Sequence, residues 1–344
     1  MSTKQEGRRP GLVRRLLVLA AAMAISIGVL EGLLALLDVS FAAPRLYPGD
    51  IAMDDRDDPS LDSLVGWKLP PSTVLPETTD DYSVTYRSNS LGFRSTREFK
   101  VRPAGDLIAF LGDSYTFGSG VADDETFAAL LEAELEGTII YNFGIGAFGI
   151  DQMLLTLEHY ALPLKPRVVV VCFIRNDLER SMNSYRKDIV WRSKPAFTLE
   201  DGELTLLTHE NRPPALWRAF EKHSRLWAFW RRLEISLGKD YAIGAQWHLN
   251  RALFERMRNA AEAAGASFVL VHIPVNRRSP TPLYDREFAK MGFYYLDLRP
   301  LLPEDADALY YENDHHLNAA GHRFAAEAIH AFLIEHGLAN TTPR

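Results

Sequence analysis

Residues 107–120 read LIAFLGDSYTFGSG, and this stretch decides the fold. Its first five residues form a short apolar run without charge, which is typical of a strand buried on both faces of a parallel sheet. A glycine-bounded turn follows, and residues 123–135 then repeat apolar side chains with helical spacing. A strand, a turn and a helix in this order predict an α/β domain.

The same alternation continues along the chain. Further strands are predicted over residues 139–143, 168–173, 267–272 and 294–298, with helical patterns over 152–160 and 284–290. The last helix is expected to begin near Asn318 and to run to about His336, with Gly337 as its stop. Strands that alternate with helices indicate a parallel sheet covered on both faces. We therefore predict a catalytic α/β domain over residues 104–338.

Two segments depart from this alternation. Residues 38–103 are rich in Pro, Asp and Ser, and we interpret them as a juxtamembrane segment. Residues 178–242 interrupt the α/β pattern, and we interpret them as an insertion. Within it, residues 194–208 are typical of a hairpin around an Asp-Gly turn, and residues 215–237 of an aromatic-rich amphipathic helix.

The N-terminus combines a basic leader, residues 1–15, with a long apolar run, residues 16–37. The run contains one charge, Glu31, and as a helix would be roughly 33 Å long, close to the ~30 Å hydrocarbon thickness of a bilayer. A cleaved signal peptide is the alternative, although its apolar region is only about 7–15 residues long. Basic residues stay in the cytoplasm. We therefore predict a single-pass anchor in a bacterial inner membrane and a periplasmic catalytic domain.

Charge excludes one class of partner. The chain has a formal net charge of -7, and the basic leader makes the remainder more acidic than the whole. Nucleic-acid binding depends on clustered Lys and Arg that neutralise phosphates. No basic stripe is present in the body of the chain, so we do not expect a nucleic-acid partner.

Ser114 is the first residue that could carry chemistry. It follows a predicted strand, at the carboxyl edge of a parallel sheet where open α/β folds bind their ligands. The start of a helix nearby would favour developing negative charge. The alternative is that Asp113 and Ser114 only form a turn or a cap. Thr116 occupies the position of the second glycine in a Gly-x-Ser-x-Gly elbow, which disfavours a lipase of the α/β-hydrolase type.

A serine nucleophile needs a base and preorganised oxyanion donors. Residues 312–321 read ENDHHLNAAG, and in this run a carboxylate two residues before His316 can orient the imidazole. His315 and His322 remain alternatives for the base. Donors are available from Asn176, at the end of a predicted strand, and from backbone amides of residues 144–149.

Four blocks in this order resemble those of the SGNH (GDSL-like) hydrolase family. They are Gly112-Asp113-Ser114, residues 142–149 (NFGIGAFG), Arg175-Asn176-Asp177 and residues 314–321. Residues 89–94 (NSLGFR) also resemble an upstream segment common in membrane-anchored bacterial members. The resemblance implies a flavodoxin-like three-layer α/β/α sandwich with a parallel sheet. It also implies a serine esterase that requires no metal or organic cofactor.

The resemblance also implies a role for each matching residue. Ser114 is the expected nucleophile, His316 the general base and then acid, and Asp314 the carboxylate that orients it. The expected oxyanion hole consists of the amides of Ser114 and of Gly146 or Ala147, and the side chain of Asn176.

Two positions depart from the family pattern. Ala147 aligns with the glycine that donates an oxyanion amide in many members, with Gly146 directly before it. The acid and the histidine are three residues apart in most members, whereas Asp314 and His316 are two apart and Asn313 holds the other position.

We therefore predict an esterase that cleaves acyl esters, with acetyl esters on surface or exported glycans as the expected substrates. Family members that modify secreted polysaccharides resemble the Asp-x-His arrangement, so a polysaccharide O-acetyltransferase is the first alternative. A catalytically idle membrane-anchored subunit of a complex is the second. The sequence names no protein partner.

Overall fold

The structure, a computed structural model, describes residues 12–36, 59–101, 103, 105–182, 185–186, 192–207, 224–226, 239–275 and 285–340. These residues belong to two compact units. The smaller lies within residues 1–45 and 213–242, and the larger within 46–212 and 243–344. The aromatic helix predicted over 215–237 lies outside the described residues except for 224–226.

The elements are as follows. The strands are β1 (Leu61–Asp62), β2 (Gly66–Trp67), β3 (Val74–Thr78), β4 (Ser83–Arg87), β5 (Asp106–Leu111), β6 (Thr138–Asn142), β7 (Val168–Phe173), β8 (Tyr185–Arg186), β9 (Arg192–Ser193), β10 (Phe197–Glu200), β11 (Glu203–Leu206), β12 (Ser267–His272) and β13 (Tyr294–Asp297). The helices are α1 (Leu12–Leu36), α2 (Ser114–Phe117), α3 (Phe127–Glu134), α4 (Ile150–Thr156), α5 (Arg175–Arg180), α6 (Lys239–Ala263), α7 (Asp285–Lys290) and α8 (Ala319–Glu335). A π-helical turn, Leu157–Ala161, continues α4, and 3-10 turns lie at Leu162–Leu164, Arg299–Leu301 and Ala306–Leu309.

Five of these strands form the central sheet, in the order β13-β12-β7-β5-β6. Each neighbouring pair is parallel. All five strands lie within one residue of their predicted bounds. The order in space, with the first strand between the second and the third, is that of flavodoxin-like sheets. The predicted α/β/α sandwich is therefore confirmed.

Alternation along the strands builds two cores, one on each face of the sheet. On β5, Leu107, Ala109 and Leu111 pack with apolar residues of α4 and α6, whereas Ile108 and Phe110 pack with those of α3 and α8. Successive side chains of a strand point to opposite faces, which explains this division. Since both faces are covered, all six residues of β7 are buried.

The structure agrees with two further predictions, the start of the last helix and the Asp-Gly hairpin. The side chain of Asn318 accepts hydrogen bonds from the amides of Ala320 and Gly321 and so caps α8. The strands β10 and β11 pair as a hairpin, with Asp201 (φ 50°) and Gly202 (φ 86°) at its turn. Both the start of the last helix and the Asp-Gly hairpin are confirmed.

Helix α1 contains a candidate membrane span, Val13–Leu36, of 24 residues, within which an 18-residue window has a mean hydropathy of 2.2. It is long and apolar enough to span a membrane, and a signal sequence near an N-terminus has the same properties. Its acidic residue, Glu31, finds hydrogen-bond donors within the smaller unit. The carboxylate accepts hydrogen bonds from the Ser224 hydroxyl and from the amides of Arg225 (2.8 Å) and Leu226 (3.2 Å).

Residues 59–101, which the sequence assigns to a juxtamembrane segment, belong to the same compact unit as the sheet. We call them the N-terminal strap. Val65, Trp67 and Phe93 of the strap are buried in the core that α4 and α6 cover. The strap is therefore part of the packed body that carries the sheet.

The NSLGFR run, residues 89–94, fastens the strap to the loop after α2. Asn89 Oδ1 accepts hydrogen bonds from the amides of Leu91 and Phe93 and closes a turn. At its tip Gly92 has a φ of 79°, and a Cβ there would lie 2.5 Å from the Leu69 carbonyl oxygen, so only glycine fits. Arg94 then donates to three carbonyls, those of Phe117 (3.0 Å), Gly118 (2.6 Å) and Val121 (2.7 Å).

The buried Arg94 allows a matched test of this attachment. Arg94 and Arg87 both pair with Asp123, but the Arg94 side chain is 3% exposed and that of Arg87 is 53% exposed. Arg94→Lys should lower the free energy of unfolding by about 3 kcal/mol, because a lysine leaves buried carbonyls without donors. Arg87→Lys should change it by less than about 1 kcal/mol. Urea denaturation of the full chain in detergent measures both, and equal effects would contradict this account of the strap.

Candidate active site

The turn after β5 presents Ser114 at the carboxyl edge of the sheet. Ser114 is the first residue of α2, and Asp113 caps that helix by accepting a hydrogen bond from the Tyr115 amide at 3.0 Å. Gly112 has no room for a side chain, since a Cβ would lie 1.9 Å from Thr116 Oγ1 and 2.7 Å from the Cys172 carbonyl oxygen. The glycine therefore permits the close packing that this turn requires.

Ser114, His316 and Asp314 form a continuous hydrogen-bonded chain. His316 Nε2 lies 2.8 Å from Ser114 Oγ, and His316 Nδ1 lies 2.9 Å from Asp314 Oδ1. Because a carboxylate only accepts, Nδ1 carries the proton and Nε2 is free to accept that of the serine hydroxyl. This is the geometry and the tautomer that a nucleophilic serine needs.

The loop that carries His316, residues 311–316, is bound to the turn at Ser114 and is closed by a hydrogen bond of its own. The Tyr115 hydroxyl donates to the His315 carbonyl at 3.0 Å, and the Tyr311 amide donates to the His316 carbonyl at 2.9 Å. His315 has a φ of 64°, the left-handed region that is uncommon outside glycine. This bend lies between Asp314 and His316, the two residues whose side chains meet.

The strap holds the acid from the other side. Asp81 accepts hydrogen bonds from the Asn313 amide (3.0 Å), the Asn313 Nδ2 group (2.8 Å) and the Asp314 amide (2.7 Å). The side chain of Asn313 is thus engaged with Asp81, while that of Asp314 is engaged with the imidazole. Burial and the nearby Asp314 carboxylate raise the pKa of Tyr82, so that hydroxyl stays protonated beside the acid.

The expected oxyanion donors lie at the same edge of the sheet. Residues 145–148 form a turn closed by a hydrogen bond from the Phe148 amide to the Ile145 carbonyl at 3.3 Å. Within the described part of the chain, the amides of Ser114, Gly146 and Ala147 have no protein acceptor. Asn176 is exposed in the first turn of α5, directly after β7, the neighbour of β5. These donors are therefore available to a ligand at this edge.

Ala147 adopts the conformation that a glycine would take without strain. Its φ is 61°, in the left-handed region, and it is 8% exposed. For a residue with a Cβ this region costs about 1–2 kcal/mol. The departure of this chain from the family pattern is thus accommodated in backbone geometry, at a steric cost.

The comparisons with known proteins agree with this geometry. Residues 110–324, more than half of the chain, match the model of the GDSL-like Lipase/Acylhydrolase family. The chain belongs to this family. It is an SGNH-type ester hydrolase, and its central parallel sheet matches the α/β fold of the family.

Solved structures of similar proteins include three of comparable coverage. That of TesA is 15% identical, with 66% of this chain and 98% of that one covered and a TM-score of 0.41. A putative lipolytic protein of the G-D-S-L family from Desulfitobacterium hafniense is 14% identical, with coverages of 67% and 100% and a TM-score of 0.40. A lipase/acylhydrolase from Enterococcus faecalis is 13% identical, with coverages of 70% and 100% and a TM-score of 0.39. No curated protein matches the chain.

Next to the turn that carries Ser114 lies a network of two buried carboxylates and a partly exposed arginine. Arg180 donates to Asp113 at 3.1 Å, to Asp177 at 2.5 Å and to the Phe148 carbonyl at 3.3 Å. Burial, and next the charge of Asp113, raise the pKa of Asp177. Arg180 thus joins the nucleophile turn, α5 and the turn at 145–148. Among the described residues, no group of three or more His, Cys, Asp or Glu could hold a metal ion.

The structure also separates the three histidines of the 314–322 region. His322 is 1% exposed, and its Nδ1 accepts a hydrogen bond from the Phe127 amide at 3.2 Å. Burial, with smaller contributions from Arg94 and His316, lowers the pKa of His322 to about 3. His315 contributes its carbonyl to the Tyr115 contact described above. Of the three, only His316 is hydrogen-bonded to Ser114.

Sequence reasoning did not identify the residues that hold this site together. Tyr115 and Asp81 act across long separations in sequence, and no local pattern marks them. The one available signal was the NSLGFR run, whose Arg94 binds the loop after α2.

The buried, neutral His322 predicts a pH dependence of stability. Its pKa in the folded state, about 3, is below the unfolded value of about 6.5, so the unfolded chain binds the extra proton and stability falls as the pH is lowered from about 6.5 to about 3. His322→Asn keeps an acceptor near the Phe127 amide and removes the titration. It should make the pH slope of the unfolding free energy shallower by up to about 1.4 kcal/mol per pH unit. His330→Asn, at a partly exposed position of α8, is the control, and equal slopes in the wild type and His322→Asn would contradict the prediction.

Proposed function

We propose that this hydrolase cleaves acyl esters outside the inner membrane through an acyl-Ser114 intermediate. The observation that carries the proposal is the hydrogen-bonded chain from Ser114 Oγ through the His316 imidazole to Asp314. A serine hydroxyl becomes nucleophilic when a base removes its proton as it attacks. His316 is within hydrogen-bond distance for that transfer, and Asp314 stabilises the imidazolium that results.

In the acylation step, Ser114 Oγ attacks the ester carbonyl carbon and its proton passes to His316 Nε2. The carbonyl oxygen becomes an oxyanion, for which the amides of Ser114 and Ala147 and the side chain of Asn176 are the proposed donors. The tetrahedral intermediate then collapses. The bond to the alcohol oxygen breaks, and the imidazolium returns the proton to that oxygen.

In the deacylation step, water takes the place of the alcohol. His316 removes a proton from the water as its oxygen attacks the acyl carbon, and the same donors stabilise the second oxyanion. Collapse breaks the bond to Ser114 Oγ, which regains its proton from His316. The products are a carboxylic acid and an alcohol, and the enzyme is unchanged.

The proposed location and substrate rest on the N-terminus and the family. Helix α1 is long enough to span a membrane, and the basic residues before it favour a cytoplasmic start. We propose that α1 is an anchor, that the hydrolase domain is periplasmic, and that its substrates are acetyl esters on surface or exported glycans. Because the domain is acidic and has no basic stripe in its sequence, we expect it to bind uncharged ester substrates better than polyphosphates.

One observation favours a second candidate function, an O-acetyltransferase of exported polysaccharide. Asp314 and His316 are two residues apart, and family members that modify secreted polysaccharides resemble this Asp-x-His arrangement. In a transferase the acyl-Ser114 intermediate would be attacked by a sugar hydroxyl in place of water. The chemistry at Ser114 and His316 would be the same, and only the acceptor would differ.

The nucleophile and base have a direct test. We expect the full chain in detergent to hydrolyse p-nitrophenyl acetate, and Ser114→Ala and His316→Ala each to lower kcat by at least about 10³-fold. A fluorophosphonate probe should label the wild type readily, His316→Ala weakly or slowly, and Ser114→Ala not at all. Absence of both hydrolysis and Ser114 labelling would overturn the enzyme proposal and leave the idle membrane subunit. Acetyl transfer to an oligosaccharide in the same assay would favour the transferase.

The acid has a matched test in neighbouring residues. Asp314→Ala should lower kcat by at least about 10²-fold, because the imidazole loses its orienting carboxylate. Asn313→Ala should change kcat far less, because its side chain bonds Asp81 and not the histidine. Steady-state kinetics and thermal unfolding of both variants separate catalysis from folding. The reverse order of effects would mean that the acid is misassigned.

A further inference from the structure

We propose that Trp67 of the N-terminal strap is a positioning residue for the oxyanion hole, which it controls by selecting the conformation of the turn at 145–148. The inference rests on the proposed function. It concerns a contact between β2 and the loop after β6: the indole Nε1 group of Trp67 donates a hydrogen bond to the Gly146 carbonyl at 3.0 Å. These residues are 79 positions apart in sequence.

The turn is of the type that normally requires glycine at its third position. In the turn from Ile145 to Phe148, Ala147 is the third residue and has a φ of 61°, whereas Gly146 lies outside the left-handed region. A positive φ at the third position alone defines a type II turn, which favours Gly or Asn there. Type I, with a negative φ at that position, is the turn that suits an alanine.

The two turn types differ in the orientation of their central peptide. Type I and type II turns interconvert by a flip of the peptide between the second and third residues, here Gly146 and Ala147. That peptide is planar and trans, so its carbonyl and its N–H point in opposite directions. A flip would therefore reverse the Ala147 N–H, which is one of the proposed oxyanion donors.

The Trp67 contact holds the peptide in the type II orientation. The indole N–H can bond the Gly146 carbonyl only while that carbonyl faces Trp67, which directs the Ala147 N–H away from the indole. In a type I turn the indole N–H would lose its acceptor in a buried place, at a cost in free energy. The hydrogen bond thus offsets the strain of a left-handed alanine.

Trp67 is itself held in place firmly enough for this role. It is 4% exposed and packs edge-on against Phe148, with ring centroids 5.7 Å apart. The buried Gln152 of α4 adds a second attachment, since its side chain donates to the Val65 carbonyl at 2.7 Å and accepts from the Gly149 amide at 3.2 Å. The strap is therefore bound to the loop after β6 within the turn, at Gly146, and directly after it, at Gly149 through Gln152.

The loop also lies against the nucleophile turn, so its conformation bears on Ser114. The Ile145 amide donates to the Gly112 carbonyl at 3.1 Å. A Cβ on Gly144 would lie 2.3 Å from the Phe117 amide nitrogen. A flip of the peptide between Gly146 and Ala147 would therefore change the hydrogen-bond donors beside Ser114 without moving the serine.

The test is a cycle of two substitutions in the full chain. Trp67→Phe keeps an aromatic ring against Phe148 and removes the N–H, and should lower kcat for p-nitrophenyl acetate at least about tenfold while KM changes less than about threefold. Ala147→Gly is measured alone as the reference for the double variant. In the Trp67→Phe background it should restore most of the lost kcat, because glycine adopts a positive φ without strain.

Tyr160→Phe is the matched control. The Tyr160 hydroxyl donates to Asp62 at 2.6 Å and accepts from Lys68 at 3.0 Å, so it also fastens the strap, but it does not touch the turn. Its removal should leave kcat within about twofold, and Ala147→Gly should not alter that result. Should Trp67→Phe fold poorly, 3-benzothienylalanine at position 67 keeps the bicyclic ring and lacks the N–H.

The outcomes are distinct. An unchanged kcat in Trp67→Phe, or a loss that Ala147→Gly does not restore, overturns the role of Trp67. An equal loss in Tyr160→Phe assigns the effect to general attachment of the strap and also overturns it. If hydrolysis by the wild type does not depend on Ser114, the proposed function fails instead. A crystal structure of Trp67→Phe should show the Gly146–Ala147 peptide flipped, and the wild-type orientation there would contradict the inference.

Discussion

The parallel pairing of β5 between β6 and β7 is the constraint on which the active site depends. Strands that run in one direction all end at one edge, so the segments after them meet there. The nucleophile turn follows β5, the turn at 145–148 follows β6, and Asn176 follows β7. Because alternate side chains of these strands fill two separate cores, a slip of one residue would exchange the two faces. The edge is therefore fixed by the packing of the whole sandwich.

The sheet edge alone does not complete the site, because three segments around it are held by the N-terminal strap. Asp81 accepts three hydrogen bonds from the acid loop, Trp67 holds the turn at 145–148, and Arg94 binds carbonyls at the end of the nucleophile helix and just beyond it. Loops that carry function need rigid support from the surrounding body. In this chain the support comes from the segment that follows α1. Catalysis is thus coupled to the folding of residues 59–101.

Much of this arrangement could be predicted from sequence, and the rest could not, for a physical reason. Apolar runs and helical spacing are local, and they located the sheet strands to within a residue. The block order brought Ser114 and His316 into one hypothesis although they are 202 positions apart. Asp81 and Trp67 had no such signal, because most of their partners are backbone groups. A backbone carbonyl or amide is present at every position, so no pattern of residue types marks the one that is bound.

Both departures from the family pattern have the same structural solution. Ala147 (φ 61°) and His315 (φ 64°) each have a left-handed backbone that is strained for a residue with a side chain. In each case a distant aromatic side chain binds a carbonyl of that bend: Trp67 binds that of Gly146, and Tyr115 that of His315. Strained conformations persist only when the surrounding structure over-determines them. The proposed oxyanion donor and the proposed base of this hydrolase therefore draw their geometry from packing outside the catalytic blocks, and we expect substitutions in that packing to alter catalysis without touching a catalytic residue.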